Sequence, residues 1–322
     1  MDGRVLHKMK STDTNALYKA WRRLKRDYMY YLFLLPAAIT VSIFTYRPII
    51  GVVMAFQDFD ILKGYFGSTF VGLKHFAAFL ENPEFFTALK NTLSINSLMI
   101  LIGFPLPVIF ALILNEVRVI SFKRITQTIT YLPHFISWVI IAGMFYRMLD
   151  VDAGIVNYIM DKWFGMARIP FFRESKYFWA ILISVSIWKE LGWNSIIYIA
   201  ALSGIDVEMY EAARIDGAGR FKSLLYITLP GIAPTVGLMF IFSIGTLVNT
   251  SGGASFDAIF NMRNKMVLNV AEVLDLHTYQ QGILLQRMSY AAAIGLTQSL
   301  ISLGLVFFAN FTSRKLSGYG AF

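Results

Sequence analysis

Six mostly apolar stretches divide this chain: Tyr30 to Phe56, Leu89 to Leu114, Ile125 to Leu149, Phe178 to Leu202, Ala233 to Thr250 and Tyr290 to Phe311. A helix crosses the hydrocarbon layer of a bilayer with roughly 20 such residues. In lipid the backbone must satisfy its own polar groups, so each run is expected to be a helix. The balance of the chain agrees, because 56% apolar and 16% aromatic residues over 322 positions exceed what one water-soluble core could hide. The expected fold class is all-α, a polytopic membrane protein with six transmembrane helices. An even number of spans places both termini on one side.

The net charge of +9 reads as an orientation signal once the positive residues are located. Eight Lys and Arg lie in residues 1–29, and Arg118, Lys123, Arg124, Arg214, Arg220, Lys222, Arg314 and Lys315 lie in the other segments on that side. The opposite loops, with Arg147 at the rim, balance their basic residues with acids. Short cytoplasmic loops retain Lys and Arg, so both termini are expected inside. The charge is thereby accounted for, and nucleic acid is not an expected partner.

Residues 1–29 contain no apolar stretch with a cleavage site, which argues against a signal peptide. From Ala16 to Tyr28, the residues Leu17, Trp21, Leu24 and Tyr28 recur at helical spacing among basic residues. That pattern predicts a cytoplasmic basic segment with an interfacial helix against anionic lipid. A six-helix domain over 30–311 and a short cytoplasmic tail, 312–322, complete the expected organisation. The chain has no Cys, which removes disulfides and thiol chemistry. Among the outer loops, Asn82 and Pro83 are placed to cap and begin a helix leading into the second span.

The inner segment 203–234 is the most specific part of the sequence, reading SGIDVEMYEAARIDGAGRFKSLLYITLPGIAPT. Asp206 is placed to cap a helix carrying Glu208, Glu211 and Arg214 at i, i+3 spacing. Gly217 then suits a left-handed position that ends it. Phe221, Leu224, Leu225 and Tyr226 predict the apolar side of a second short helix, which Pro230 and Pro234 break before the next span.

The string Glu211-Ala212-Ala213, Asp216-Gly217-Ala218, Phe221, Ile227, Leu229, Pro230 and Pro234 resembles the EAA loop of ABC-importer permeases, in particular those of the sugar-importer branch. Gly72 to Phe76, Asn91-Thr92, Leu132-Pro133 and Trp188 to Leu202 extend the likeness over nearly the whole chain. The resemblance implies a type I ABC-importer permease fold, closest to oligosaccharide and polysaccharide permeases such as the alginate importer subunit. It also implies a coupling helix seated in a separate ATPase. Glu211 would face basic groups there, Ala212 and Ala213 would allow close approach, and Gly217 would set the bend, with Asp216, Phe221 and Pro230 completing the element. Implied partners are a second permease, homologous or identical, two ATPase subunits that carry ATP and Mg, an extracytoplasmic solute-binding protein and membrane lipid. The implied location is the bacterial inner membrane.

This chain itself has no phosphate loop. Gly217-Ala218-Gly219-Arg220-Phe221-Lys222-Ser223 lacks the spacing of G-x-x-x-x-G-K-[ST], so no bound cofactor is expected. No metal-ligating or catalytic set is apparent either, and the chain reads as a transport subunit rather than an enzyme. Ionisable and polar residues within spans are costly and therefore functional candidates. Trp188, Lys189, Glu190, Trp193 and Asn194 in the fourth span form the strongest set, with Asn249, Tyr46 and Arg47 as further wall residues. A Trp ring face and an Asn amide are what a sugar requires. Arg47 or Lys189 would suit an anionic sugar, while the residues leave a neutral one equally open. Helix glue, snorkelling and interfacial belts explain the same residue types. An ion-coupled secondary transporter is the alternative function, and it would require inverted repeats, which the sequence does not display.

Overall fold

The computed structural model describes residues 21–23, 25–250, 254–317 and 320. Of the expected interfacial helix, residues 16–20 and 24 lie outside the described residues. The chain divides into two compact units, Met1–Val71 and Gly72–Phe322. In the first, the span α1 (Tyr28–Phe56) begins as α-helix, passes through a π turn at Ser42–Tyr46 and tightens to a 3-10 helix from Arg47. Its large side chains, Phe33 and Phe44 among them, are exposed within this unit, as suits a helix whose solvent is lipid or a partner. Behind it, β1 (Gln57–Asp58) pairs antiparallel with β2 (Thr69–Phe70), a ribbon tied by Gln57 Nε2 donating to Tyr65 O at 2.9 Å.

The second unit is helical throughout its regular elements. A short outer helix, α2 (Lys74–Leu80), leads to the second span, α3 (Pro83–Glu116). Asn82 caps α3 as expected, its side chain accepting from Glu84 N at 2.9 Å. Within α3 a π turn at Met99–Gly103 precedes Pro105 and Pro107. Proline cannot donate to the preceding turn, and a local π adjustment is one way a membrane helix accommodates it.

The third expected span is not one straight helix. Its halves, α4 (Ile120–Phe135) and α5 (Trp138–Met148), meet at 100°. Pro133 opens a 3-10 turn, Ile136 is extended, and Ser137 caps α5. After the outer helix α6 (Ile155–Phe164), the fourth span α7 (Ser175–Ser203) runs 29 residues and packs on α3, α4 and the fifth span. The inner helix α8 (Val207–Ile215) precedes that fifth span, α9 (Arg220–Gly245). Helices α10 (Phe256–Met262) and α11 (Leu274–Tyr279) build the end called outer after the orientation expected from the charges, and α12 (Met288–Ser317) is the last long apolar helix.

By length and apolarity, four helices among the described residues qualify as membrane-crossing, or five if the bent pair is one span. Helix α7 is long enough to be the sixth, but Lys189, Glu190 and Asn194 lower its apolarity. The all-α reading holds, and six spans are consistent with this arrangement. One boundary is corrected: α9 starts at Arg220, well before Ala233, so Pro230 and Pro234 do not break a second helix. Instead the π turn Leu224–Thr228 absorbs the missing donor, and Thr228 Oγ1 donates to Ser223 O at 3.3 Å.

Two apolar clusters hold the second unit. The outer one joins Ile95, Ile141, Phe178 and Leu182 to Ile259, Met262 and Leu276, and the inner one joins Ala111, Tyr198, Leu202 and Ile232. Along both α3 and α7 the stretch between these clusters lines a cavity.

Candidate functional site

Two regions gather sequence candidates, the α8 segment at one end of the unit and the cavity between α3, α7 and α9, and the remaining candidates lie outside both. Helix α8 starts where expected, Asp206 Oδ1 accepting from Glu208 N at 2.9 Å. It ends in a Schellman arrangement, with Gly217 N donating to Arg214 O at 3.1 Å and Ala218 N to Ala213 O at 2.8 Å. Gly217 adopts φ +75°, a left-handed position that costs a residue with a Cβ about 1–2 kcal/mol. Glu211, Ala212, Asp216, Gly217, Phe221 and Pro230 are exposed, and Ala213 is half-buried. Val207, Met209, Ile215 and Phe221 expose apolar surface beside them, Ile215 at 87%. Glu211 and Arg214 lie among these exposed apolar side chains.

Helix α8 is also fastened to the membrane helix that follows it. Tyr210 OH and Thr228 Oγ1 are 3.0 Å apart, joining α8 to the π turn of α9. A Cβ at Gly231 would lie 2.8 Å from Ile205 Cδ1, so α9 packs directly against the chain entering α8. Force applied to the exposed face of α8 therefore reaches α9 through a hydrogen bond and a close contact. The sequence reading missed Tyr210 and Thr228, because only the π turn brings them together.

The cavity, about 670 Å³, is lined by α3 from Met99 to Pro107, α7 from Trp193 to Ala200 and α9 from Met239 to Thr246. Trp193 and Asn194 are in its wall, with Tyr198, Ser243 and Thr246 adding polar atoms. No lining residue is a Lys, Arg, Asp or Glu.

Lys189 and Glu190 are elsewhere. Lys189 is 5% exposed, and its Nζ donates to Pro133 O at 3.2 Å and to His134 O, the carbonyls freed where α4 breaks. A buried ammonium in an apolar medium requires such partners and a counter-charge. Glu190 supplies the charge, Oε1 lying 3.8 Å from Nζ, while Oε2 is 2.8 Å from His134 Nδ1. Adjacent residues on a helix are not a regular pair, yet the two meet because both reach the same bend. Lys189 thus secures the kink between α4 and α5, and its charge is spent there rather than on the cavity.

Asn249 follows the end of α9. Its Nδ2 is 3.3 Å from Ser302 Oγ, and its carbonyl accepts from Asn96 Nδ2 at 2.7 Å. The same Asn96 amide reaches Thr246 O and Leu247 O, closing the exposed carbonyls of the helix end. Asn91 Nδ2 donates to Asn269 O and Glu272 O, and Thr92 Oγ1 accepts from Leu274 N, so the pair fastens the outer helices to α3. Tyr46 and Arg47 belong to the first unit, where both are exposed.

Comparison with known proteins agrees with this architecture. The family described as "Binding-protein-dependent transport system inner membrane component" matches residues 103–318. Protein LplB of Bacillus subtilis is 40% identical over 93% of this chain and 92% of its own length. The polygalacturonan/rhamnogalacturonan transport system permease protein YteP of the same organism is 38% identical over 93% and 91%. A chain in the crystal structure of a bacterial ABC transporter that imports the acidic polysaccharide alginate superposes with a TM-score of 0.83 at 36% identity, covering 93% of this chain and 99% of that one. The same fit recurs, over 94% of this chain, in the alginate transporter complexed with its alginate pentasaccharide-bound periplasmic protein.

The chain belongs to the binding-protein-dependent transport system inner membrane component family. It is an inner-membrane ABC-importer permease, a transport subunit rather than an enzyme, and membership decides against the ion-coupled alternative.

Proposed function

We propose that this chain forms half of the pathway by which an ATP-driven importer moves a carbohydrate oligomer delivered by an extracytoplasmic binding protein. The observation that carries the cargo class is the mid-span cavity, whose wall offers the Trp193 ring, the Asn194 amide and hydroxyls, without charge. Its volume is that of a small-ligand site. Sugars present apolar ring faces and many hydroxyls, which match that wall. The relatives named above include permeases for acidic polysaccharides, alginate among them. With Lys189 occupied at the kink, charge complementarity to an acidic sugar falls to Arg47, the second permease or the binding protein.

The inner segment 203–234 is the coupling element. Glu211 orients on basic groups of the ATPase, Ala212 and Ala213 permit close approach, and Asp216, Gly217, Phe221 and Pro230 shape the turn and its apolar edge. Two ATPase subunits hold ATP and Mg, and a homologous or identical permease completes the pathway. Both termini face the cytoplasm, in keeping with the Lys and Arg balance. Closure of the ATPases moves α8, which moves α9 through Tyr210–Thr228 and opens the cavity outward to receive the sugar.

The test is uptake by proteoliposomes holding permeases, ATPases and loaded binding protein. ATP-dependent accumulation of labelled oligosaccharide is expected. Accumulation driven by an ion gradient with the ATPases omitted would sink the reading.

A further inference from the structure

The polar cluster at the α4–α5 bend borders the cavity wall. His134 lies face to face with Trp193, centroids 4.2 Å apart and planes 2° from parallel. Phe135 meets the same indole edge-on at 5.6 Å and 83°. His134 in turn is held twice, its Nδ1 by Glu190 Oε2 at 2.8 Å and its carbonyl by Lys189 Nζ. Lys189 and Glu190 close the loop at 3.8 Å. Three residues therefore form a ring of polar contacts whose product is the fixed plane of one imidazole. A further consequence is steric: a stacked imidazole occupies one face of the indole, and Trp193, 41% exposed, presents the remainder to the cavity.

We infer that His134, held by Glu190, is a positioning residue that orients Trp193 for stacking against a sugar ring. A ring face selects its partner only if its plane is fixed, since each degree of freedom left to the indole must be lost on binding. Here the plane is set by a part-buried imidazole that cannot rotate without breaking its bond to Glu190. The break in the third span gains a role on this account. It places Pro133, His134 and Phe135 as an irregular turn beside the cavity, where a straight helix would present one side chain per turn. The inference rests on the cavity being the sugar wall.

The experiment uses the full complex. The Trp193 signal is isolated as the emission of wild type minus that of Trp193→Phe. His134→Phe, which keeps a stacked ring but loses the bond to Glu190, should lower the anisotropy of that signal only in part. His134→Gln, which keeps a donor for Glu190 but no ring, should lower it, as should Glu190→Ala. Uptake is then measured with binding protein loaded from a mixture of short galacturonan, alginate and arabinan oligosaccharides. His134→Gln and Trp193→Ala should each lower maximal uptake about tenfold, the scale of one aromatic contact. The double variant should be no worse than either alone. The concentration of loaded binding protein giving half-maximal uptake should not change, because docking is remote from mid-span. His134→Phe should retain most of the uptake.

The reverse order, with His134→Gln active and His134→Phe inactive, would overturn the positioning role. An unchanged Trp193 anisotropy in His134→Gln would overturn it equally. Wild-type uptake by Trp193→Ala would instead remove Trp193 from the sugar wall, a failure of the cavity reading itself. Recovery of the assembled complex by size exclusion separates all of these from misfolding.

Discussion

The two ends of the second unit are finished in opposite ways. At the outer end, buried polar side chains join distant segments: Asp275 accepts from Thr250 N at 2.7 Å, from Thr250 Oγ1 and from Gln298 Nε2 at 2.9 Å, and the Asn96 amide donates to the carbonyls past the end of α9. At the inner end, α8 exposes Glu211, Ala212 and a row of large apolar side chains, and its firmest link to the membrane helices is Tyr210–Thr228. Hydrogen bonds to an ionised carboxylate are among the strong ones, and these tie segments far apart in the chain, so the outer end is built to stay put. An exposed apolar helix costs stability in isolation and is recovered by a partner, so the inner end is built to be gripped.

That contrast is open to direct attack. The largest effect is expected from Glu211→Lys, which should cut ATP-driven uptake about a hundredfold by placing a cation where the ATPase is expected to present basic groups. The variant should still reach the membrane with an unaltered melting temperature, and a matched loss of stability would show that α8 is structural after all. Asp275→Ala should do the reverse. It leaves the buried Thr250 and Gln298 donors without their acceptor, costing about 3 kcal/mol, measured as thermal unfolding of the detergent-solubilised protein. Gly217→Ala is expected to cost about 1 kcal/mol through its φ alone, since nothing lies within 4 Å of the added Cβ. Its effect on uptake should exceed its effect on melting, because the turn aims α8.

The smallest effect concerns acid. His277, almost fully buried in the outer helix α11, has its pKa pushed below 6.5 by burial, so the folded protein favours the neutral ring. Its contribution to stability is complete above the unfolded value and is lost as pH falls through the lower folded one. Glu272 is opposite in sense: burial raises its carboxyl above 4.5, so its contribution is present at low pH and lost as pH rises through the raised value. Below pH 6.5 the melting temperature of wild type should fall faster than that of His277→Phe. Parallel curves would show that His277 does not register protons.

Much of the inner end was legible in the sequence. Asp206, Gly217 and the EAA pattern act locally, through caps and a left-handed turn whose energetics involve residues a few positions apart, and the structure places each where the spacing put it. The same held for Asn82. What misled the sequence reading was likewise specific. Pro230 and Pro234 read as breakers, because the rule describes helices in water, whereas a π turn and Thr228 accommodate them in α9. Lys189 read as a pathway residue, since a span with an ionisable group demands a reason and the reason lay 55 positions away, in His134 O.

The sequence alone determined that the chain crosses a membrane as helices, and that one segment between spans is capped at Asp206 and turned at Gly217. These follow from apolar run length and short-range backbone chemistry. Only the tertiary structure decided that the third span bends by 100°, that Lys189 and Glu190 serve the bend, and that Trp193 faces the cavity backed by His134. Those outcomes depend on contacts between distant segments, where a buried charge takes the partner that packing brings within reach.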